Sequence, residues 1–196
     1  MSRAPLVLGI AGSPRRNGNS DRLLAAALEG AESAGAETRT LVATAAGVRH
    51  CLGCNTCSLT GMCIQTDGGP AFYRAIDAAD AVVVASPIYF AGVPGALKDL
   101  VDRLQPYWAR TYVLGRERPP RRPGAILLAG GGGDPYGAGP AEATLRSGLA
   151  VLGVDILGVV LATGADGPAD LDGQPGVLAE ARSLGAAVAM EALRRG

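Results

Sequence analysis

The run Asp80-Ala81-Val82-Val83-Val84-Ala85-Ser86 constrains this chain most strongly, because every interior position is apolar. A strand with one wet face alternates apolar and polar residues. An unbroken apolar strand is buried on both faces, as central strands of parallel sheets are. Residues 5–11 (PLVLGIA) read the same way. Further strands are expected at 37–43, 125–129 and 154–162, with helices at about 20–35, 70–79, 95–107, 140–152 and 174–194. Strand and helix alternate five times, which predicts an α/β fold with a parallel sheet covered by helices on both faces. The threonines and arginine of ETRTLVA (37–43) suit a sheet edge. No internal repeat or linker interrupts the pattern, so residues 1–196 are read as one domain.

The stretch from Gly9 to Ser20 reads GIAGSPRRNGNS. The first apolar run breaks at Gly12, and a helical pattern begins near Ser20 with Leu23, Leu24, Ala27 and Leu28 on one face. Amides at a helix start lack intrahelical partners and the helix dipole favours negative charge there, so a phosphate is the natural guest. Arg15 and Arg16 supply charged donors, and Ser13, Asn17, Asn19 and Ser20 neutral ones. A capped turn with solvated arginines is the plain alternative. No GxxxxGK[ST] occurs, and no GxGxxG follows the first strand. That argues for a site holding a single phosphate group.

Ligands of such sheets sit beyond the carboxyl ends of the strands. Three loops of unusual composition leave those ends, at 12–20, 86–95 and 130–139. The second, SPIYFAGVPG, combines backbone donors with Tyr89 and Phe90, which suits a flat ring with a polar edge; ordinary packing is the alternative for these two aromatics. The third holds four successive glycines, where a backbone approaches a ring closely. One phosphate and one planar heterocycle in a single crevice describe FMN.

GSPRRNGNS, then SPIYFAGVPGALKDLVDR, then the glycine loop after the fourth strand resemble the flavodoxin-like NAD(P)H-dependent FMN reductase family over nearly the whole chain. The resemblance implies a flavodoxin-like three-layer sandwich whose five-stranded parallel sheet has the order 2-1-3-4-5. It also implies non-covalent FMN and a homodimer or homotetramer. Carried onto matching positions, it has Ser13, Arg15, Asn19 and Ser20 hold the phosphate. Pro87, Ile88, Tyr89, Phe90 and Gly92 would hold the isoalloxazine, with Gly131 and Gly132 against its far edge.

All four cysteines, Cys51, Cys54, Cys57 and Cys63, fall in the irregular stretch at about 44–67 and spell C-x2-C-x2-C-x5-C. Three closely spaced thiolates with a fourth nearby can wrap an iron–sulfur cluster. Free or disulfide-forming thiols are one alternative and a four-cysteine zinc site another. The arrangement resembles the iron–sulfur flavoproteins, a branch of the same fold carrying a 4Fe-4S cluster near FMN. A related branch often has two aspartates after the last cysteine, where this chain has Thr66-Asp67-Gly68-Gly69.

Lys, Arg, Asp and Glu balance to a formal charge of zero and no basic cluster is interleaved with aromatics, so nucleic acid is not expected. Arg116, Arg118, Arg121 and Arg122 beside three prolines are read as a solvated loop. No apolar run reaches membrane-spanning length and no signal peptide opens the chain, so a cytoplasmic protein away from membranes is expected. His50 is the only histidine, which largely removes Ser-His-Asp and Cys-His catalysis; it is read as an exposed loop residue, with a proton donor or hydrogen bond near a cluster or flavin as the alternative. Tyr107, Trp108 and Tyr112 are read as subunit packing, with a wall of the substrate pocket as the alternative. The function expected is an FMN-dependent oxidoreductase that passes electrons from NAD(P)H through flavin to a quinone-like, flavin or other conjugated acceptor. No side chain is required as acid or base. The rival is an iron–sulfur flavoprotein carrying single electrons between protein partners.

Overall fold

The computed structural model describes residues 3–116, 118–167 and 170–196. In chain order the elements are β1 (Leu6–Ala11), α1 (Asn19–Ser33), β2 (Glu37–Val42), α2 (Thr56–Thr60), α3 (Gly69–Ala78), β3 (Ala81–Pro87), α4 (Gly95–Asp102), α5 (Gln105–Tyr112), β4 (Arg122–Gly130), α6 (Gly139–Ala150), β5 (Val154–Thr163) and α7 (Pro175–Arg195). The five strands are all parallel and lie in the order β2-β1-β3-β4-β5, the flavodoxin-like topology. The half-exposed strand β2 forms one edge, as its polar residues require.

The unbroken apolar runs serve two cores at once. Val7, Val83 and Leu127 face one side with Leu23 and Ala27 of α1 and Val188 of α7. Their neighbours Leu8, Val82, Val84 and Ile126 face the other, with Ile76 of α3, Leu97 and Leu100 of α4 and Leu145 of α6. Each such side chain contributes about 1.5–3 kcal/mol by leaving water. This two-sided burial fixes the strands, and their carboxyl ends therefore present the loops from one rigid edge.

The helix expected at 95–107 is two helices, α4 and α5, broken at Arg103 and Leu104. Pro106 is the cause: it has no N–H to donate, and its ring would collide with the carbonyl of Asp102 one turn earlier. Helix α5 then runs on to Tyr112, and residue 117 of the loop holding Arg116 and Arg118 lies outside the described residues. The stretch at 44–67 is not wholly irregular either, since α2 forms just after Asn55, which has a left-handed φ of 58°. β4 starts at Arg122, earlier than the expected 125, with a register shift against β5 at Gly124/Ala125.

Arg122 is not a solvated loop residue. It is 8% exposed and its Nη1 donates to the carbonyls of Ile76 at 2.6 Å and Ala79 at 2.8 Å. A cation is favourable at these carbonyls, which end helix α3.

Candidate functional site

The first loop is fastened where β1 ends, by the Gly12 amide donating to the Ala85 carbonyl of β3 at 2.8 Å. Ser13 is buried and folds the turn: its Oγ accepts from the Arg15 amide at 3.0 Å and donates to the Arg15 carbonyl at 2.9 Å. Gly18 precedes α1 with no side-chain cap, leaving the first-turn amides open to a ligand. Ser13, Arg15, Asn19 and Ser20 line one cavity of about 130 Å³ together with Pro87, Ile88 and Tyr89. Seven of the residues expected at the site are thus brought together from two strand ends.

Asn19 has its side-chain amide engaged within the protein. It is 8% exposed, and its Nδ2 donates to the carbonyls of Ala165 at 3.0 Å and Gly167 at 2.8 Å. Its Oδ1 is buried with no partner among the described residues. The remaining free atom is an acceptor, which suits a ligand hydroxyl better than a phosphate oxygen.

Tyr89 and Gly92 exchange two backbone hydrogen bonds of 2.9 Å around a tight turn. The two residues inside it, Phe90 and Ala91, have φ of 50° and 59°. Such turns normally use Asn-Gly, because a left-handed backbone costs a non-glycine residue about 1–2 kcal/mol. Phe90 stands fully exposed at the tip. Phe90 and Gly92 line neither this cavity nor its neighbour.

That neighbour, about 390 Å³, is lined by Gly131 and Gly132 among the residues of the glycine loop. The two cavities share Ile88, Gly130 and Asp166, so they form one groove across the carboxyl ends of β1, β3, β4 and β5. Asp166 is a groove residue that sequence reasoning missed. The only signal for it was a carboxylate soon after the fifth strand. Its own amide is held by Asp170 Oδ2 at 2.8 Å.

Cys51, Cys54, Cys57 and Cys63 are all free, and all four line a separate cavity of about 310 Å³. Among the described residues, no three His, Cys, Asp or Glu side chains are gathered as they would be around one metal ion. Four cysteines lining one cavity is the donor number that an iron–sulfur cluster and a four-cysteine zinc site both take. Thr56 lowers the Cys54 thiol pKa by hydrogen bonding, whereas burial raises that of Cys57. His50 is exposed, and its carbonyl accepts from Gln65 Nε2 at 3.0 Å across the loop.

Asp67 closes this loop. Its carboxylate accepts from the amides of Arg49 at 2.8 Å and Gly69 at 2.9 Å and from both terminal nitrogens of Arg103 at 2.7 and 3.0 Å. These donors, Arg103 first, hold the Asp67 carboxyl well below the usual carboxylate range. One aspartate meeting one buried arginine does the fastening here. The Tyr73 hydroxyl donates to the Arg103 carbonyl at 2.9 Å, and burial pushes its pKa up to about 12.

The three aromatics near α5 separate. Tyr107 is buried, its hydroxyl donating to Asp77 at 2.7 Å, and so belongs to the core. Trp108 and Tyr112 are exposed with ring centroids 6.0 Å apart. Among the described residues, no helix is long and apolar enough to cross a membrane.

Comparison with known proteins agrees with this architecture. An iron–sulfur flavoprotein of Archaeoglobus fulgidus is 35% identical over 128 residues, covering 65% of this chain and 56% of the relative. The match thus spans little more than half of that relative's length. An iron–sulfur flavoprotein of Methanosarcina thermophila is 33% identical over 141 residues, covering 72% of this chain and 69% of the relative. Among solved structures, a flavone reductase superposes with a TM-score of 0.70 at 22% identity, over 95% of this chain and 62% of the other, a likeness of fold. Residues 5–166 match the model of the NADPH-dependent FMN reductases, and with the two curated relatives this shows that the chain belongs to that family, in its iron–sulfur flavoprotein branch.

Proposed function

We propose that this chain is an FMN-dependent NAD(P)H oxidoreductase, built as one flavin-binding domain, that delivers electrons to a quinone-like, flavin or other conjugated acceptor. The observation that carries the reading is the continuous groove. Uncapped amides and Arg15 stand at one end, and glycine backbone open enough for a ring stands at the other. Bound there, FMN supplies the two-electron chemistry. The chain's part is to bind and orient. Ser13, Arg15, Ser20 and the first-turn amides of α1 hold the phosphate; Asn19 Oδ1 accepts from a ribityl hydroxyl. Pro87, Ile88 and Tyr89 line the ring, Phe90 and Gly92 shape the turn beside it, and Gly131 and Gly132 lie at its far edge. No side chain acts as general acid or base; NAD(P)H and acceptor meet the ring through the open side of the groove.

Flavin titration followed by stopped-flow mixing with NADH or NADPH tests this. One FMN per chain, weaker FAD binding and bleaching by the nicotinamide are expected. Failure to bind FMN at micromolar concentration would overturn the reading.

The four-thiol cavity favours a second reading, an electron carrier in which Cys51, Cys54, Cys57 and Cys63 hold a 4Fe-4S cluster beside the flavin protein's own site. The donor set fits such a group, which would supply one-electron transfer. Four free thiols fit a reducing, cytoplasmic setting. Iron with persistent failure to oxidise NAD(P)H with any quinone would favour the carrier. Exposed Trp108 and Tyr112 support a homodimer or homotetramer.

A further inference from the structure

Arg103 is 1% exposed, on the short link between α4 and α5. Its Nη1 donates to Asp67 and to the Arg49 carbonyl at 2.9 Å, and its Nη2 donates to Asp67. Its Nε is sealed from solvent and has no hydrogen-bond partner among the described residues. A buried donor left without an acceptor is destabilising, so its persistence here calls for an explanation.

Arg103 is also one of the residues lining the cavity of the four cysteines, and Cys63 lies within electrostatic range of its guanidinium. Asp67 is not part of that wall; it is turned toward the backbone amides of Arg49 and Gly69. The ion pair is therefore a fixed dipole whose cationic residue, and not its carboxylate, borders the four-cysteine cavity. Both partners are buried, at 1% and 6% side-chain exposure, so water screens this field little.

The geometry points to Arg103 as the electrostatic partner of the iron–sulfur cluster, its guanidinium offering Nε–H to a ligating sulfur and raising the reduction potential of the group the four cysteines hold. This rests on the cluster reading given above. Adding one electron makes the group more negative, and a buried cation beside it lowers the energy of that state. The alternative is that Arg103 only clasps Asp67. The two roles differ in sign. A clasp predicts loss of iron when either partner is removed. A field predicts that the two removals move the potential in opposite directions.

The test uses the full chain, purified without oxygen and reconstituted with iron and sulfide. The midpoint potential is read by electron paramagnetic resonance during titration with dithionite, and iron, acid-labile sulfide and FMN are assayed in parallel. Arg103→Gln should lower the potential and Asp67→Asn, which frees the cation from its counter-charge, should raise it. Should Arg103→Gln fail to fold, the double variant Asp67→Asn/Arg103→Gln, whose buried pair is neutral, reads the same quantity and should fall below Asp67→Asn alone. Iron content intact with equal potentials in all folded variants would overturn the inference and leave the cluster reading standing. Wild-type protein that takes up no iron but binds FMN would overturn both the cluster reading and this inference, while the flavin oxidoreductase remains.

Discussion

The carboxylate of Asp166 rests directly against Gly131: a Cβ built on that glycine would lie 2.1 Å from Asp166 Oδ2. Two loops from neighbouring strands, β4 and β5, thus meet at the middle of the groove with no room for a side chain. Gly131→Ala should push Asp166 toward the ligand and lower FMN affinity roughly tenfold, about 1.4 kcal/mol. Flavin fluorescence quenching measures it, and an unchanged affinity would detach the glycine loop from the flavin.

Arg15 is exposed at the end of the groove proposed to take the phosphate. Arg15→Ala removes a charge-assisted donor and should weaken FMN binding by about 1.5–3 kcal/mol without altering the fold. Equal affinities by isothermal titration would sink this placement.

At Phe90, stability and binding should move apart. Its φ of 50° strains a phenylalanine, and its side chain is fully exposed and gains nothing from burial. Asn tolerates that backbone, so Phe90→Asn should raise the unfolding free energy by about 0.5–1 kcal/mol. If the turn presents Phe90 to the flavin, affinity for FMN falls in the same variant. Thermal melts with and without FMN read both quantities.

Acid should loosen the cysteine loop first. Arg103 and two backbone amides hold Asp67 below its unfolded pKa of about 4. A carboxyl with a depressed folded-state pKa stabilises the native chain above the unfolded value, and that stabilisation disappears as pH falls through the folded one. Urea midpoints should therefore drop below about pH 4. Asp67→Asn should flatten this acid limb, and at neutral pH it should cost about 3–5 kcal/mol, because it leaves a buried guanidinium unpaired. A wild-type midpoint that stays constant from neutrality through this range would contradict the assignment.

Trp108 and Tyr112 form an exposed aromatic pair on α5. Light scattering should find more than one chain per particle at micromolar concentration. Trp108→Ser/Tyr112→Ser should shift it toward the monomer. A wild-type monomer would rule this surface out as an interface.

Local pattern alone determined the sheet and the main ligand loops. Apolar runs without alternation demand burial on two faces, and strand-to-helix turns rich in glycine, serine and arginine are read from neighbours in sequence. Ser13, Arg15, Ser20 and Tyr89 were singled out for that reason, as was the cysteine spacing, whereas Pro87 and Ile88 were named only through the family resemblance. The break at Pro106 has a local cause too, yet the helical periodicity around it masked the stop. Other features exist only because distant segments meet. Asn19 turns its amide to Ala165 and Gly167, nearly 150 residues away. Asp166 reaches Gly131 across two strands, and Asp67 finds Arg103 from 36 residues off. No local rule says whether an isolated Asp, Asn or Arg is solvated or buried. Arg122, read as solvated, is buried because the end of α3 happens to pack over the start of β4 and presents bare carbonyls to its charge.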